Sequence, residues 1–571
     1  MENKDTNDLS VLLERIETAE NWRDGNYAEL WRDCYRRYRS QPLPRAAGSN
    51  IFVPHTFMQC EVIKARLRET VFAQRPYIAA LPVEGGDTAH AANMQALLDW
   101  QMNERMDFSR LMGEEVATAL IVYGTAVVYS GWQVKTRRVV RGVPAETALT
   151  DEKNRPLLDD DGLPLTMEII RPEERTEVVY DDPAVVNIPL ADFFVDPEAV
   201  SIEDARFCGH REYQTREELQ ELMDAGKYCI DWDGLADTDR PGTDDTFDRD
   251  QPKARFEVHH YWEDGRHAVI LERQQLICDE ENPFWHGMKP YDKGCYVSLP
   301  DEFFGAGVPE ILAGLQDELN TARNQRIDYN SMALRRMWKL RRGCGLTAND
   351  LVWRQNGVLQ VENMDDVMEI NVQDIPAAAF ANENAIKQDM QDATGCHDIL
   401  MGTSYVNETA TTTLTRDNNA SLRFKAIISA FIRELLVPVA RKCAAMDQQF
   451  LSELRVLRIL GAEAAAEESL YQVGPYDLTG DFDVIFCGST AEPAASRQQN
   501  KEKALQAYSL ALADPAYQQD EQARMRLFRR VLEALDMKDA AALMPHAAAE
   551  PFAAAEQAAP GNVLPESVPE I

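Results

Sequence analysis

The stretch that decides the fold runs from Phe303 to Arg342 and reads FFGAGVPEILAGLQDELNTARNQRIDYNSMALRRMWKLRR. Pro309 fits a first helical turn at little cost, because the N–H that it lacks has no helical partner there. Beyond Gly314, neither Gly nor Pro occurs before Gly343. One helix of about thirty residues is therefore allowed, roughly 45 Å long. Globular helices average about 11–12 residues, so we predict an unusually long helix.

The two halves of this predicted helix differ in character. In the first half the apolar residues step by three and four and form one stripe for packing; they are Val308, Ile311, Leu312, Leu315, Leu319 and Ala322. The second half holds a single acid, Asp328, and a group of cations, namely Arg323, Arg326, Arg335, Arg336, Lys339, Arg341 and Arg342. Charge alone is equally compatible with an ordinary solvated helix face.

The motifs in this stretch resemble the stem region of tailed-bacteriophage portal proteins, the ring-forming head-to-tail connectors through which the genome is packaged and ejected. The similarity rests on G-x-G-x-P-E, then L-Q-D-E-L-N-x-x-R-N-Q-R-I-D, and later G-V-L at Gly357–Leu359. Residues 192–219, DFFVDPEAVSIEDARFCGHREYQTREEL, are also similar to portal sequences. Thr215 and Glu218 in that segment additionally form an S/T-x-x-E capping box, which is a sufficient local reason for them.

The resemblance implies an α+β fold, mainly helical, with a wing, stem, clip and helical crown, assembled as a ring. The boundaries that it suggests are 1–50 for an N-terminal helical segment, 51–302 for the wing, 303–342 for the first stem helix, 343–375 for the clip, 376–396 for the returning stem helix, 397–413 for a channel loop, 414–490 for a second wing part with a long kinked helix and strands, 491–545 for the crown helices and 546–571 for a disordered tail.

The resemblance also implies a function and partners. It implies a homo-oligomeric ring, a dodecamer, at one capsid vertex of the virion, assembled in the host cytoplasm. The ring would be the channel for double-stranded DNA packaging and ejection. It would dock the terminase large subunit and the head-completion adaptor or tail proteins, and contact the major capsid and scaffolding proteins. The protein would not be an enzyme and would need no cofactor.

Two sets of residues are candidates for function in such a channel. The basic end of the stem could contact DNA phosphates near the pore exit or pair with acids of the neighbouring subunit, and the sequence leaves both open. The channel-loop candidates are His397, Tyr405, Asn407 and Glu408, in the Thr-rich segment GCHDILMGTSYVNETATTT. An ordinary connection between two helices explains that segment as well.

Composition limits the alternatives. With 571 residues the chain should form three or four units. Its 95 acidic and 59 basic residues give a net charge of −36, which disfavours a protein that coats nucleic acid. A channel in which DNA slides without sticking is compatible with that charge. The ten cysteines form no CxxC pair, so we expect reduced, mostly buried thiols and no zinc site.

Membrane and secretion signals are weak. The start, MENKDTNDLS, lacks the basic and apolar regions of a signal peptide. The uncharged run Val116–Val134 is interrupted by Tyr123-Gly124-Thr125, so we predict a buried helix, a turn and a strand there, and no membrane partner.

Motifs for catalysis are missing. The chain has no phosphate-binding G-x-x-x-x-G-K-[ST] loop, and GAGVPE has Glu310 where a dinucleotide fingerprint needs its third Gly. The adjacent His259 and His260 lie on a β-prone run, so we expect their side chains on opposite faces. We predict no catalytic and no metal site; the acidic segment 231–250 is interpreted as a solvated loop. The alternatives to a portal are a DNA-processing enzyme and another ring-forming scaffold protein.

Periodicity predicts the remaining elements. We expect helices over 9–39 with a break near Gly25, over 51–75 and over 88–122, then short strands between 124 and 300. The aromatic residues of the first helix should pack in the core; they are Trp22, Tyr27, Trp31, Tyr35 and Tyr38. A helix from Phe424 to Leu454 should kink at Pro438. A strand pair within 476–490 and helices over 494–513 and 519–538 complete the prediction.

Overall fold

The structure is a computed structural model. It describes residues 2–45, 48–72, 75–83, 87–148, 166–233, 235, 255–334, 337–347, 349–352, 355, 359–361, 363–370, 377–396, 423–452, 455–458, 470–480, 482–486, 505–506, 508–509, 528 and 531. The described residues form both α-helices and antiparallel β-strands, which agrees with the predicted α+β class.

The chain divides into two compact units. Unit 1 comprises Met1–Arg458 and Leu470–Ala491, and unit 2 comprises Ile459–Ser469 and Glu492–Ile571. In unit 2 the rings of Tyr508 and Phe528 lie 5.6 Å apart. The predicted helices over 494–513 and 519–538 lie largely outside the described residues.

Unit 1 contains both α-helical and π-helical segments. The α-helices are α1 (Glu2–Asn26), α2 (Ala28–Tyr38), α3 (His55–Phe72), α4 (Thr88–Trp100), α5 (Phe108–Arg110), α6 (Ala117–Tyr123), α7 (Arg216–Asp224), α8 (Val308–Ile311), α9 (Ala313–Leu334), α10 (Ala377–Thr394), α11 (residues 423–431) and α12 (Val437–Phe450). The π-helical segments are Gln101–Arg105, Leu111–Val116 and Ile432–Leu436. The predicted helices near the start of the chain are confirmed, with the first break next to Gly25.

The strands form antiparallel sheets. They are β1 (Ile78–Pro82), β2 (Thr125–Ala148), β3 (Thr166–Ile188), β4 (Phe193–Val195), β5 (Phe207–Thr215), β6 (Arg255–Glu263), β7 (Arg266–Leu271), β8 (Gln275–Glu281), β9 (Tyr291–Cys295), β10 (Met337–Leu340), β11 (Val367–Ile370), β12 (Arg455–Arg458), β13 (Leu470–Val473) and β14 (Phe482–Phe486). A five-stranded sheet has the order β4-β5-β6-β7-β8 and a three-stranded sheet the order β3-β2-β9; the pairs are β1-β14, β10-β11 and β12-β13.

The long central helix is shorter than predicted. It ends at Leu334, and Met337–Leu340, which we expected to continue it, instead form β10, which pairs with β11. Trp338 lies opposite Glu369 and Lys339 opposite Met368. Because this partner strand lies about thirty residues further on, helical periodicity within 303–342 could not reveal it.

Two other predictions need correction. Between 124 and 300 we expected only short strands, but β2 and β3 form a hairpin of 24- and 23-residue strands with a register shift between Lys135 and Thr136. The predicted local strand pair within 476–490 is wrong as well. Pro475–Leu478 is a 3₁₀ turn, and β14 pairs with β1, which lies near the start of the chain.

The periodic helix after residue 422 is confirmed, and its irregularity lies where Pro438 predicts one. The segment Ile432–Leu436 is π-helical, and the Val437 N–H donates to the Ile432 carbonyl. Pro438 has no N–H to donate and crowds the preceding turn. A widened turn just before it avoids that clash.

The large core of unit 1 joins the helices to the three-stranded sheet. Its fully buried side chains include Leu97, Phe108 and Leu319. The segment Val116–Val134 is a helix, a turn at Gly124 and a strand, as predicted. Among the described residues, no helix combines the length and the apolarity that a membrane span requires. Of the described cysteines, most are buried and all are free thiols.

Candidate functional site

The entrance to the central helix is built on glycines. A Cβ on Gly305 would lie 2.4 Å from the Val297 carbonyl oxygen, and one on Gly307 would lie 2.6 Å from the Val122 carbonyl oxygen. Gly124, at φ +81°, lies against the same backbone. The G-x-G part of the motif is therefore required for close backbone packing, which explains it without a bound phosphate.

The aromatic residues of the first helices pack against this entrance. The Phe304 ring lies 6.1 Å from that of Trp22, 4.9 Å from Tyr27 and 5.0 Å from Trp31. Trp31 is buried, and Trp22 and Tyr27 pack against the core. This confirms the predicted packing role for these three residues.

A bidentate ion pair holds α2 to α9. Arg37 donates from Nη1 to Asp317 Oδ1 at 2.7 Å and from Nη2 to Oδ2 at 3.0 Å, and also from Nη1 to the Ala313 carbonyl. Such a planar fork fixes orientation as well as distance. The N-terminal helices thereby fix the first turn of α9.

A ladder of polar side chains on α9 holds the segment before α3. Its members recur every fourth residue and are Gln316, Asn320, Asn324 and Asp328. Asn324 accepts from the Ile51 N–H at 2.8 Å and donates to the Ile51 carbonyl at 3.0 Å. Asn320 accepts from the Val53 N–H at 2.9 Å. These bonds satisfy backbone groups that have no regular secondary structure to bond them.

The two ends of this ladder differ in burial. Gln316, fully buried, accepts from the Thr56 N–H at 3.0 Å and from the Thr56 hydroxyl at 2.7 Å, and donates to the Val53 carbonyl at 2.8 Å. At the exposed end, Asp328 accepts from the Ser49 N–H at 2.7 Å. Hydrogen bonds from Ser49 lower the pKa of Asp328.

The geometry of the ladder follows from two repeats. Four helical residues rise about 6 Å, and two residues of extended chain advance about 6.6 Å. Every fourth side chain of α9 can therefore bond every second residue of a chain that runs beside it, here Ser49, Ile51 and Val53. The L-Q-D-E-L-N-x-x-R-N-Q-R-I-D motif thus supplies side chains that hydrogen-bond to the chain's own backbone, a role that the sequence did not reveal.

The helices α9 and α10 pack as an antiparallel hairpin. Arg326 donates to Glu383 at 2.9 Å, and its guanidinium lies 4.8 Å from the Phe380 ring centre. Arg323 lies 3.8 Å from the same carboxylate. At the other end, Thr394 donates to Gln59 of α3 at 2.8 Å, close to the Thr56–Gln316 bonds.

The structure thus places two of the basic candidates inside the hairpin. The Glu383 side chain is only 6% exposed, so Arg323 and Arg326 neutralise an otherwise buried charge of their own chain. Intrachain pairing is a third role, beside phosphate contact and intersubunit pairing. Whether these arginines also contact DNA or a neighbour stays a prediction.

Three of the other basic candidates, Lys339, Arg341 and Arg342, lie at the β10-β11 end. Arg341 donates its N–H to the Asp366 carbonyl at 3.0 Å, and its guanidinium lies 3.4 Å from the Asp366 carboxylate. Lys339 and Arg342 are exposed. Arg335 and Arg336 lie outside the described residues, as do the channel-loop candidates His397, Tyr405, Asn407 and Glu408.

The hairpin exposes one face of each helix. Exposed residues at spacings of three and four run from the end of α8 along α9 and include Ile311, Gly314, Glu318, Thr321 and Gln325; we call them the α9 outer stripe. Of the exposed residues of α10, Ala381, Ala385, Gln388, Asp389 and Asp392 are spaced along one side; we call them the α10 outer stripe. The only charged members of the two stripes are acids.

Comparison with known proteins identifies the class. The family model described as Phage SU10 portal protein matches residues 8–566, almost the whole chain. The chain therefore belongs to this family of phage portal proteins. A search of curated proteins found no match.

Proposed function

We propose that this portal protein forms a homo-oligomeric ring, a dodecamer, at one vertex of the capsid, and that the ring is the channel for packaging and ejection of double-stranded DNA. The observation that carries the proposal is the family match over residues 8–566. The two outer stripes of the α9–α10 hairpin support it, because they offer exposed helix faces that neighbouring hairpins and a channel can use.

Each part of unit 1 then takes a role. The α9–α10 hairpin is the stem, β10 and β11 belong to the clip, and the sheets with α11 and α12 belong to the wing. In this arrangement the polar ladder holds the stem to the start of the wing, and the Arg37–Asp317 pair holds it to the N-terminal helical segment. A channel wall must resist the passing DNA, so rigid attachment of the stem suits the role.

The charge of the stem suits transport. The stripe acids Glu318, Asp389 and Asp392 repel phosphate, while Glu383 engages Arg323 and Arg326. DNA bound through several cations would be held by counterion release. A wall whose cations are engaged internally lets the duplex slide. Lys339 and Arg342, exposed near the β10-β11 end, are the described cations best placed for phosphate or neighbour contact.

The partners follow from the ring. We infer that the clip side docks the terminase large subunit and then the head-completion adaptor or tail proteins, and that the wing contacts major capsid and scaffolding proteins. The ring assembles in the host cytoplasm and remains in the virion. It acts as passage and platform, without catalysis of its own.

Negative-stain microscopy with mass photometry of the purified protein tests the ring. We expect uniform rings with a central hole and a mass that is a multiple of the subunit mass. A monomer at micromolar concentration, or filaments without closure, would contradict the proposal.

Substitution of the exposed cations tests their role. Lys339→Gln combined with Arg342→Gln should preserve rings but lower DNA packaging in a reconstituted assay if these residues contact phosphate. Loss of rings instead would assign them to intersubunit pairing. Lys227→Gln, an exposed lysine after α7, is the matched control and should leave both properties unchanged.

A further inference from the structure

Three imidazoles lie on one face of the five-stranded sheet. His210 on β5 is directly opposite His260 on β6, and His267 lies on β7. The rings of His210 and His260 stack at 4.9 Å with an angle of 11°, and those of His260 and His267 at 5.9 Å with an angle of 6°. His259 belongs to the opposite face, where it meets Glu20 and Glu257, as the alternation of β-strand side chains predicts.

A carboxylate lies between two of these rings. Glu212, two residues after His210 on the same face, has Oε1 3.4 Å from His260 Nε2 and Oε2 4.0 Å from His210 Nε2. One ligand atom from each of the three residues lies within 4.8 Å of the other two. In a tetrahedral zinc site with bonds of 2.0–2.1 Å, neighbouring ligand atoms are separated by about 3.3 Å. The ligand atoms of the three residues would therefore have to move closer by at most about 1.5 Å to reach the separation of a zinc site.

A second layer of contacts orients these ligands. The Nδ1 atom of His210 lies 2.6 Å from the hydroxyl of Tyr291, so its Nε2 is directed toward Glu212. Gln214 donates a hydrogen bond to Glu212 Oε1. Metal-binding histidines commonly have the second ring nitrogen fixed in this way. His210 is 6% exposed, so its ring position is set by the core.

We propose that His210, Glu212 and His260 form a binding site for a divalent transition metal of the zinc type, which fastens β5 to β6. Two imidazoles with one carboxylate suit Zn²⁺ and do not suit Mg²⁺ or Ca²⁺, which prefer oxygen ligands. The side chain of Glu212 is 38% exposed and those of His210 and His260 are 7% and 13% exposed. Because Glu212 is the exposed member of the set, water from that side would supply the remaining coordination position. The role is structural, because the buried imidazoles leave little room for a substrate.

A neighbouring set competes for the same ion. His267, Cys278 and Glu280 also bring ligand atoms within 4.8 Å of one another. There, however, His267 Nδ1 already lies 2.9 Å from Glu280 Oε1, and only one imidazole is present. The His210 set supplies two imidazoles and a fixed second nitrogen, so we assign the ion to it.

Sequence reasoning predicted no metal site. His210 and Glu212 alternate on one strand, but His260 is about fifty residues away and enters through the β5-β6 register. Metal sites are recognised in a sequence by histidines and cysteines at short spacing. This set has no such spacing, because its members come together through strand pairing.

The experiment is metal titration of the full-length protein after dialysis against a chelator. ZnCl₂ binding is measured by calorimetry, and CoCl₂ binding by the visible absorption of the cobalt ion, which is intense only in tetrahedral sites. We expect one ion per subunit. Glu212→Gln should weaken zinc affinity by more than about 100-fold and Tyr291→Phe by about 10- to 100-fold. The matched control, Glu280→Gln, should leave affinity within about threefold.

Circular dichroism and particle mass verify that each variant is folded. Loss of binding in Glu280→Gln but not in Glu212→Gln would overturn the assignment, as would no stoichiometric binding by the wild type. If Glu212→Gln does not fold, Tyr291→Phe decides, because unchanged affinity in that variant would refute the proposed orientation of His210. Ring formation is scored separately, so failure of the metal proposal leaves the proposed portal function untouched.

Discussion

The buried end of the polar ladder gives the sharpest test of how α9 holds the N-terminal part of the chain. The perturbation is Gln316→Met, which keeps the side chain near its original volume and removes its polar atoms. Volume-conserving changes add little packing cost. The loss of stability in this variant should therefore measure the contribution of the Gln316 hydrogen bonds.

The magnitude follows from three of the bonds of Gln316, those to the Thr56 N–H, the Thr56 hydroxyl and the Val53 carbonyl, at 2.7–3.0 Å. Gln316 and Thr56 are both fully buried, so water cannot replace the missing partner. At about 1 kcal/mol for each bond, the opening free energy of the Val53–Thr56 segment should fall by about 3 kcal/mol. Since 1.4 kcal/mol corresponds to a factor of ten, amide exchange there should accelerate by about 150-fold.

The assay is hydrogen–deuterium exchange with mass spectrometry of peptides that cover residues 49–58. The matched control is Gln325→Met on the exposed α9 outer stripe, where we expect a change within about 0.5 kcal/mol. Exchange in Gln316→Met that rises less than about threefold, or an equal rise in Gln325→Met, would refute the ladder as the link between α9 and this segment.

Three further predictions test the hairpin, the glycine entrance and the charge pairs. Glu383→Gln leaves two arginine charges without their carboxylate, so exchange protection of α9 and α10 should drop by about 3 kcal/mol; unchanged protection would show that the pair contributes nothing. Gly305→Ala would push the neighbouring backbone segments apart, so thermal unfolding should show a stability lower by about 1–3 kcal/mol. In the control, Gly314→Ala, no atom lies within 4 Å of the new Cβ, and stability should rise by up to about 1 kcal/mol. A change of the same sign in both variants would contradict the packing argument. The guanidinium of Arg206 donates to Asp196 at 2.5 and 2.8 Å and lowers the pKa of that carboxyl, so its stabilisation is present above about pH 4 and lost as the pH falls through the folded pKa. The difference in melting temperature between wild type and Asp196→Asn should therefore shrink from pH 7 to pH 3, and a constant difference would exclude this linkage.

Several features follow from the sequence because their causes act within a few residues. Helical periodicity predicted α11 and α12, the resemblance to portal proteins predicted α10, and Pro438 predicted the position of the irregular turn. Thr215 and Glu218 form the expected reciprocal capping box. The motif of the central stretch was sufficient to indicate the portal family, which the family match confirms.

What the tertiary structure decided depends on residues far apart in the chain. Whether residues 337–340 continue a helix or form a strand is settled by pairing with β11, and β14 finds its partner in β1. Gln316 accepts a hydrogen bond from Thr56. Glu383 forms ion pairs with Arg323 and Arg326, whose role could not be decided from the charge pattern of the sequence. His260 meets Glu212 only through strand register. Local patterns set the period of each element, but long-range partners are selected by the path of the whole chain, and that path is visible only in the folded molecule.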